Sequence, residues 1–287
     1  MTFTFLAQSV VDGVLTGGVY ALIATGLTLI FGVMNIINFA HGSFMMLGMY
    51  GTYFLFAWAG IDPYASVAII LPLFFVIGYT VQKGVIQRVM NYPGEAVLLL
   101  TMGIMLIIEN LALAVFSPNY RIITTSYASR CFYVMGLKFN LTRLVAFLFA
   151  ILVGAVLYLL LKNTYLGKAI RAVSQEREGA LTVGINFNNI FCVAFGIGIA
   201  CVAVAGAVVT PFLWISPNIG FHYVLLAFAT VVLGGMGNFI GAIFGGLIIG
   251  VVEALGAAFL SGSMKDVVVF AIFALVLLYK PQGLFGK

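Results

Sequence analysis

The stretch Gly13–Ser43, GVLTGGVYALIATGLTLIFGVMNIINFAHGS, determines the class of fold of this chain. It belongs to a longer run, residues 13–61, that contains no Asp, Glu, Lys or Arg. A helix of about 20 apolar residues is long enough to cross the hydrocarbon core of a bilayer. Two asparagines and a histidine, Asn35, Asn38 and His41, then interrupt the run. The stretch therefore predicts a membrane-spanning helix that ends in a polar break.

The whole composition agrees with a membrane protein. The chain is 63% hydrophobic and 7% charged, with a mean hydropathy of +1.20, whereas soluble domains carry about 25% charged residues. Its length allows about eight to ten spans, and long continuous apolar segments favour helices over a barrel of alternating strands. We expect an all-α, polytopic helix bundle in a lipid bilayer. Residues 1–287 would form a single transmembrane domain with two broken or re-entrant segments.

The second break lies at Gly234–Asn238, GGMGN, in the middle of an apolar region too long for one helix. Its surroundings, Gly234–Ile240, resemble Gly32–Ile37 at the first break. Interrupted apolar segments in the two halves of a chain mark transport pathways in secondary transporters. Two readings of the first break stay open. Its polar residues either cap two helix ends at the membrane surface, or form hydrogen bonds at a constriction or gate of a pathway.

Two carboxylates, Glu109 and Glu253, lie within apolar segments. A charge at the centre of a membrane helix costs roughly 2.5–3.5 kcal/mol, so each side chain should face a partner or a cavity. Each can pair with a basic group on a second, related subunit, or line the translocation path. No metal site is expected, since His41 has no cysteine or carboxylate near it in sequence.

Glycines recur at a spacing of four residues after the second break, at Gly237, Gly241 and Gly245. Small residues at this spacing allow the backbones of two membrane helices to approach closely. Packing within this chain and contact with a second subunit are both consistent with the pattern.

Charge is concentrated in residues 162–189, and residues 165–189 within them read as an amphipathic helix followed by a tight turn. Within them Glu178, Ala180 and Gly184 match the pattern E-x-A-x-x-x-G, and Gly179 stands where a second alanine is usual. A short helix with small residues can approach a partner closely, so the segment is a candidate docking element. The alternative is a solvated loop helix.

Four stretches in the right order resemble one family, the branched-chain amino-acid permeases of ABC transporters, and the chain is similar to the shorter of its two paired permease types. They are TGLTLIFGVMNIINFAHGSFMMLGMY (25–50), AIRAVSQEREGALTVGIN (169–186), LGGMGNFIGAIFGGLIIGVVEAL (233–255) and YKPQGLFGK (279–287). The resemblance implies an importer subunit in the bacterial inner membrane that moves branched-chain or related neutral amino acids inward.

The resemblance also implies partners: a second homologous permease, two ATPase subunits that bind ATP and Mg, and an extracytoplasmic solute-binding protein. Glu178, Gly179, Ala180 and Gly184 would dock on an ATPase. The chain itself would not be an enzyme, and it contains no G-x-x-x-x-G-K-[ST] loop, so ATP hydrolysis is expected on separate chains. The alternative is a secondary transporter driven by an ion gradient, with Glu109 or Glu253 as proton carrier.

Orientation follows from the resemblance rather than from charge. Basic residues occur both in the loop 117–142 and in residues 162–189, which one span separates, so the excess of Lys and Arg does not identify the inner side. Docking on an ATPase would place residues 162–189 and 83–95 in the cytoplasm and the loop 117–142 outside. The net charge of +5 is modest, and no nucleic-acid partner is expected.

Overall fold

The computed structural model describes residues 3–134, 136–260 and 264–286, so the last residue of the stretch 279–287 lies outside it. Within these ranges the chain is mainly helical, as expected. The helices are α1 (Phe3–Met34), α2 (His41–Ala59), α3 (Pro63–Gly84), α4 (Gly94–Phe116), α5 (Leu141–Asn163), α6 (Tyr165–Gln175), α7 (Arg177–Thr182), α8 (Phe187–Val209), α9 (Ile219–Gly234), α10 (Phe239–Phe259) and α11 (Lys265–Tyr279). A short 3-10 turn (Ile86–Arg88) precedes α4, and a hairpin of β1 (Cys131–Val134) and β2 (Leu137–Asn140) precedes α5.

Helices α1 and α8 form the centre of the bundle. The most apolar part of α1 is 83% buried and that of α8 is 89% buried, against 22% in each of α3, α4 and α5. Helix α1 packs along α10 and α8, and α8 also packs against α2 and α3. The outer helices turn most of their apolar side chains outward, as a lipid-facing surface requires.

The described residues include six helices that are long and apolar enough to cross a membrane, and α9 is a shorter apolar helix. The polytopic all-α class is therefore confirmed, while the expected number of about eight to ten spans stays a prediction. The hairpin in the loop 117–142 was not foreseen from the sequence. It is tied to α1, because the side chain of Gln8 both donates to and accepts from the backbone of Lys138, at 2.8 Å in each case.

The contact of α1 with α10 is a contact between backbones. A Cβ placed on Gly13 would lie 2.7 Å from the Cα of Val251, and one on Gly17 would lie 2.8 Å from the carbonyl oxygen of Gly246. In α10, a Cβ placed on Gly250 would overlap the backbone of Gly13 and Gly17. Glycines at these positions let the two helices approach more closely than any other residue would allow.

The first break is a re-entrant segment. The backbone of Asn35 is left-handed, with φ of 54°, and residues 35–40 are not helical. The hydroxyl of Thr101, seven residues into α4, donates to the carbonyl of Ile37 at 3.1 Å. Nε2 of His41 donates to the carbonyl of Ile23 at 3.0 Å, and Ile23 precedes Met34 by 11 residues. At a rise of 1.5 Å per residue, His41 lies about 16 Å from the end of α1, inside the bundle rather than at its surface.

The second break is a tight reversal between the antiparallel helices α9 and α10. Gly235 and Gly237 have φ of 100° and 79°, a left-handed backbone that glycine adopts without steric cost. The C-terminal segment covers this turn. Asn238 donates its side-chain amide to the carbonyl of Phe285 at 2.8 Å, and the amide of Leu284 donates to the carbonyl of Leu233 at 2.8 Å.

The glycine contact generates a stability prediction. Gly250→Ala should destabilise the protein by about 1–3 kcal/mol, because the added methyl group must push α10 away from α1. The control is Gly103→Ala in the middle of α4, where a Cβ would meet nothing within 4 Å. Thermal unfolding in detergent should show a lower midpoint for Gly250→Ala and an unchanged or slightly higher one for Gly103→Ala. Equal midpoints would show that the two helices do not depend on this contact.

Candidate translocation and coupling site

The segment predicted to dock consists of two short helices, α6 and α7. Thr164 caps the start of α6, and its hydroxyl accepts a hydrogen bond from the amide of Gly167 at 3.1 Å. It is strongly amphipathic, with Ile170 and Val173 buried against the bundle. The sequence predicted one amphipathic helix and a turn. The extended backbone of Glu176 instead separates α6 from the six-residue α7.

Gly184 ends α7 in a left-handed turn. Its φ is 80°, its amide donates to the carbonyl of Leu181 at 3.0 Å, and the next amide, of Ile185, donates to the carbonyl of Ala180 at 3.0 Å. This pair of hydrogen bonds is the Schellman motif, in which glycine provides the left-handed residue. A Cβ on Gly184 would meet nothing within 4 Å, so within this chain the glycine is required by backbone conformation and not by close packing.

The surface of α7 is uncovered in this chain. Glu178 and Gly179 are exposed, whereas Ala180 is buried. Two apolar side chains beside them point outward, Leu181 with 50% and Val183 with 72% of its area exposed. A small surface of charged and apolar side chains is therefore exposed at one end of the bundle. We call this end of the bundle the α7 end.

Arg177 connects α7 to the first break. Its guanidinium donates to the carbonyl of Met34, the last residue of α1, at 3.1 Å and lies 5.1 Å from the ring centre of Phe191 in α8. The final carbonyls of a helix lack partners within the helix and carry a partial negative charge, so a cation is favourable there. Helix α7 is thus joined directly to the end of α1. Sequence reasoning missed Arg177, although it immediately precedes Glu178.

The three polar residues of the first break lie in different environments. Asn35 is exposed at the α7 end, whereas Asn38 and His41 are fully buried. The Asn38 side-chain oxygen accepts from the amide of Ala40 at 3.1 Å. Among the described residues, Nδ2 of Asn38 and Nδ1 of His41 have no hydrogen-bond partner. Both side chains therefore have hydrogen-bonding capacity that the described residues do not use.

The glycines after the second break contact their own chain. A Cβ on Gly237 would lie 3.5 Å from the Cα of Gly32 in α1, so the two breaks touch. Gly241 faces the backbone of Gly234, and a Cβ on Gly245 would lie 2.5 Å from the carbonyl of Thr230. Gly241 and Gly245 thus allow α10 to pack closely on α9.

A cavity of about 800 Å³ lies at the opposite end, which we call the hairpin end. Helices α1, α9, α10 and α11 contribute its walls. Glu253 accepts hydrogen bonds from the hydroxyl of Tyr20 and from Lys265, with which it forms an ion pair. The Glu253 side chain is 8% exposed and that of Lys265 34%, so the carboxylate lies deep and the ammonium is nearer the opening.

Further charged groups line the same cavity. Arg143 lies 3.6 Å from Asp12, and His222, also in the wall, lies 3.9 Å from Asp266. The cavity therefore presents charges of both signs among apolar side chains. The sequence suggested a basic partner for Glu253 on a second permease. The structure instead pairs Glu253 with Lys265, which lies in the same chain at the start of α11.

Glu109 does not line this cavity. It is half-buried and accepts a hydrogen bond from the hydroxyl of Ser43, near the start of α2, at 3.3 Å. The two carboxylates singled out in the sequence thus belong to different parts of the bundle. Each has a polar neighbour within the protein.

The described chain is thus a membrane helix bundle with a charged cavity at one end and an exposed segment, α7, at the other. The family profile described as "Branched-chain amino acid transport system / permease component" matches residues 9–277. The chain belongs to this family of permease components, as its sequence resemblance predicted. It is therefore an integral membrane protein and one component of a multi-subunit transport system.

Several relatives match over nearly the full length. The high-affinity branched-chain amino acid transport system permease protein BraD of Pseudomonas aeruginosa is 32% identical, covering 98% of this chain and 95% of its own. The corresponding permease protein LivH of Escherichia coli is 31% identical, covering 99% and 97%. The ribose import permease protein RbsC of Haemophilus influenzae is 28% identical, covering 81% and 72%. No solved structure matches significantly. An ion-gradient-driven secondary transporter finds no support in these relationships.

The ion pair in the cavity generates a second prediction. Lys265→Met should destabilise the protein by about 1–3 kcal/mol, because it leaves the carboxylate of Glu253 in a largely apolar site without its cation. The effect should be smaller than for a fully buried pair, since Lys265 is partly exposed. The interaction energy between the two charges is measured by thermal unfolding of Glu253→Gln, of Lys265→Met and of the double variant that carries both changes. We expect the double variant to lose less than the sum of the single variants. Additive losses would show that the two charges act independently.

Proposed function

We propose that this chain is a permease subunit of an ABC importer in the bacterial inner membrane, which moves branched-chain or related neutral amino acids inward. The observation that carries the proposal is the hydrogen bond from Arg177 to the carbonyl of Met34, which joins an exposed surface segment to the first break. Such a contact is what a permease needs if a separate motor drives its movement.

The motor would be a pair of ATPase subunits that hold ATP and Mg. Glu178, Gly179, Ala180 and Gly184 would form the docking element, with the exposed side chains of α7 covered by the ATPase surface. The absence of a phosphate-binding loop from this sequence is consistent with hydrolysis on other chains. A second homologous permease would complete the pathway, and an extracytoplasmic binding protein would deliver the solute at the hairpin end.

Helix α1 would transmit the movement. It contacts Arg177 at its last residue and Glu253 through Tyr20, so a single helix links the α7 end to the cavity. Its glycine contacts with α10 would permit small sliding movements, because the two backbones meet at Gly13 and Gly17 without a side chain of α1 between them. Sliding of packed helices is one of the common ways in which two states of a protein interconvert. The re-entrant residues 35–40 would then open or close the path as α1 shifts.

The cavity supports an amino acid as the solute. A zwitterion carries both charges, and the wall offers both signs in Glu253, Lys265, Asp12 and Arg143. The apolar lining, which includes Leu213 and Ile219, suits an aliphatic side chain. Relatives named for branched-chain amino acids match over nearly the full length, but a relative named for ribose shows that solutes differ among similar permeases. The charged side chains in the cavity wall favour an amino acid over an uncharged sugar as the solute.

Uptake by the intact complex tests the function. The complex, purified with its partners and placed in liposomes with the binding protein, should accumulate labelled leucine, isoleucine or valine when ATP is supplied on the ATPase side. Ribose and urea should not compete. Uptake that needs a proton gradient and no ATP, or that ribose abolishes, would contradict the proposal.

A variant of Arg177 tests the link between the two ends. Arg177→Ala should leave ATPase association intact but lower uptake per ATP hydrolysed by roughly tenfold. The reason is the loss of one hydrogen bond from a charged group, which contributes about 1.5–3 kcal/mol. Arg177→Lys, which keeps the charge, should retain part of the uptake. Lys168→Ala on the exposed side of α6 is the matched control and should transport normally. Normal coupling in Arg177→Ala would show that α1 is moved in another way.

A variant of Gly184 tests the docking element itself. Gly184→Val should abolish ATPase association and solute-stimulated hydrolysis, because a β-branched residue strongly resists the left-handed backbone that ends α7. Gly184→Asn is the control, since asparagine tolerates this conformation, and it should retain most association. Glu178→Lys should also weaken docking by inverting a charge at a polar interface. Full association and uptake in both Gly184→Val and Glu178→Lys would show that α7 is an ordinary loop helix.

A further inference from the structure

A second cavity of about 380 Å³ lies between α1, α5 and α6, beside the turn at Gly237. It is separate from the charged cavity at the hairpin end and shares none of its residues. We call it the basic groove. Its walls are Thr28, Leu29, Gly32, Val33, Tyr158, Leu161, Lys162, Ile170, Arg171, Ser174, Gly237 and Phe239.

Two cations border the groove without an acidic partner. No ion pair of Lys162 or Arg171 occurs within residues 3–134, 136–260 and 264–286. The ammonium of Lys162 lies 5.6 Å from the ring centre of Tyr158, and the guanidinium of Arg171 donates to the carbonyl of Leu161. Both charges remain uncompensated, so the groove attracts an anion.

A buried hydroxyl lies deeper in the same groove. Thr28 is only 2% exposed, yet its hydroxyl has no hydrogen-bond partner in the part of the chain that the structure describes. Leaving a buried polar group unpaired is unfavourable by about 1–3 kcal/mol. Thr28 precedes Met34 by six residues, which places it about 9 Å further into the bundle along α1. The side chains of Leu29, Val33 and Phe239 make the surrounding wall apolar.

We propose that the basic groove binds one anionic phospholipid. The phosphate would lie between Lys162 and Arg171, the hydroxyl of Thr28 would donate to an oxygen at the glycerol–ester level, and an acyl chain would follow Leu29 and Val33. The cations at the rim, the polar group below them and the apolar wall match the order of groups along such a lipid. Basic pockets between membrane helices on the cytoplasmic side recognise anionic head groups in this way.

The proposed function places this groove at the cytoplasmic leaflet, because it adjoins α6 and therefore the docking element. Lipid binding itself does not depend on that function and is measured without transport. A soluble phosphate compound would leave the apolar wall unused, and a neutral lipid would leave both cations without a counter-charge. An anionic phospholipid satisfies both features.

Binding is measured on the full chain, purified in detergent, with phosphatidylglycerol and with phosphatidylcholine of the same acyl chains. Phosphatidylglycerol should bind more tightly. Lys162→Gln with Arg171→Gln should weaken its binding by about tenfold or more, since each cation near an anionic lipid contributes a factor of about five. Lys168→Gln, the same change on α6 outside the groove, should alter binding less than twofold. Thr28→Val replaces the hydroxyl with a methyl group and should weaken the binding of both lipids by the same factor.

Equal affinity for the two lipids, or an equal loss in Lys168→Gln, would overturn the proposal in favour of non-specific attraction. Displacement of the lipid by millimolar glycerol phosphate would identify a site for a soluble phosphate compound instead. Because the double variant can fail to fold, the wild-type chain is also labelled with phosphatidylglycerol that carries a photoreactive group on its acyl chain. Crosslinks should appear in the peptide around Leu29 and Val33. Crosslinks confined to other helices would overturn the proposal as well.

Discussion

Close contact between helix backbones is the constraint on which the rest of this structure depends. Lipid is as apolar as the helices themselves, so their association must come from packing and hydrogen bonds rather than from escape from water. The glycines of α1 and α10 allow that packing, since a Cβ on Gly250 would overlap Gly13 and Gly17. With α1 held in the centre, its two ends reach the two regions that carry charge.

The polar groups that need a partner differ between the two regions. At the hairpin end a carboxylate, Glu253, is stabilised by Tyr20 and Lys265 around an open cavity. At the α7 end Arg177 binds the carbonyl that ends α1, next to residues whose backbone is not helical. Because a membrane cannot satisfy exposed backbone groups, such a segment must be enclosed by protein, and Thr101 and the bundle around it supply the enclosure. Where regular helix stops at the first break, Thr101 and Arg177 thus bind backbone carbonyls that the helix leaves free.

At the first break, two enclosed polar side chains lack part of their hydrogen bonds within the described residues. Asn38 and His41 are enclosed but not fully hydrogen-bonded, which leaves the re-entrant segment without a complete set of partners in this arrangement. A segment with unsatisfied groups gains from any second arrangement that pairs them. The central helices need not unfold for such a change, since a small shift of α1 and of residues 35–40 would be enough.

The amino-acid sequence by itself determined the class, the positions of both breaks and the family, because hydropathy, glycine and short motifs act over neighbouring residues. The number of spans stays a prediction. The sequence also singled out Gly184, whose left-handed turn is local. Tertiary structure alone decided that Glu253 pairs with Lys265, that Arg177 binds Met34 and that His41 lies beside Ile23. No periodic pattern encodes such contacts, since each depends on how two or more helices are placed in space. The hairpin before α5 was missed for a related reason: it is short and lies in a polar loop, where hydropathy gives little signal.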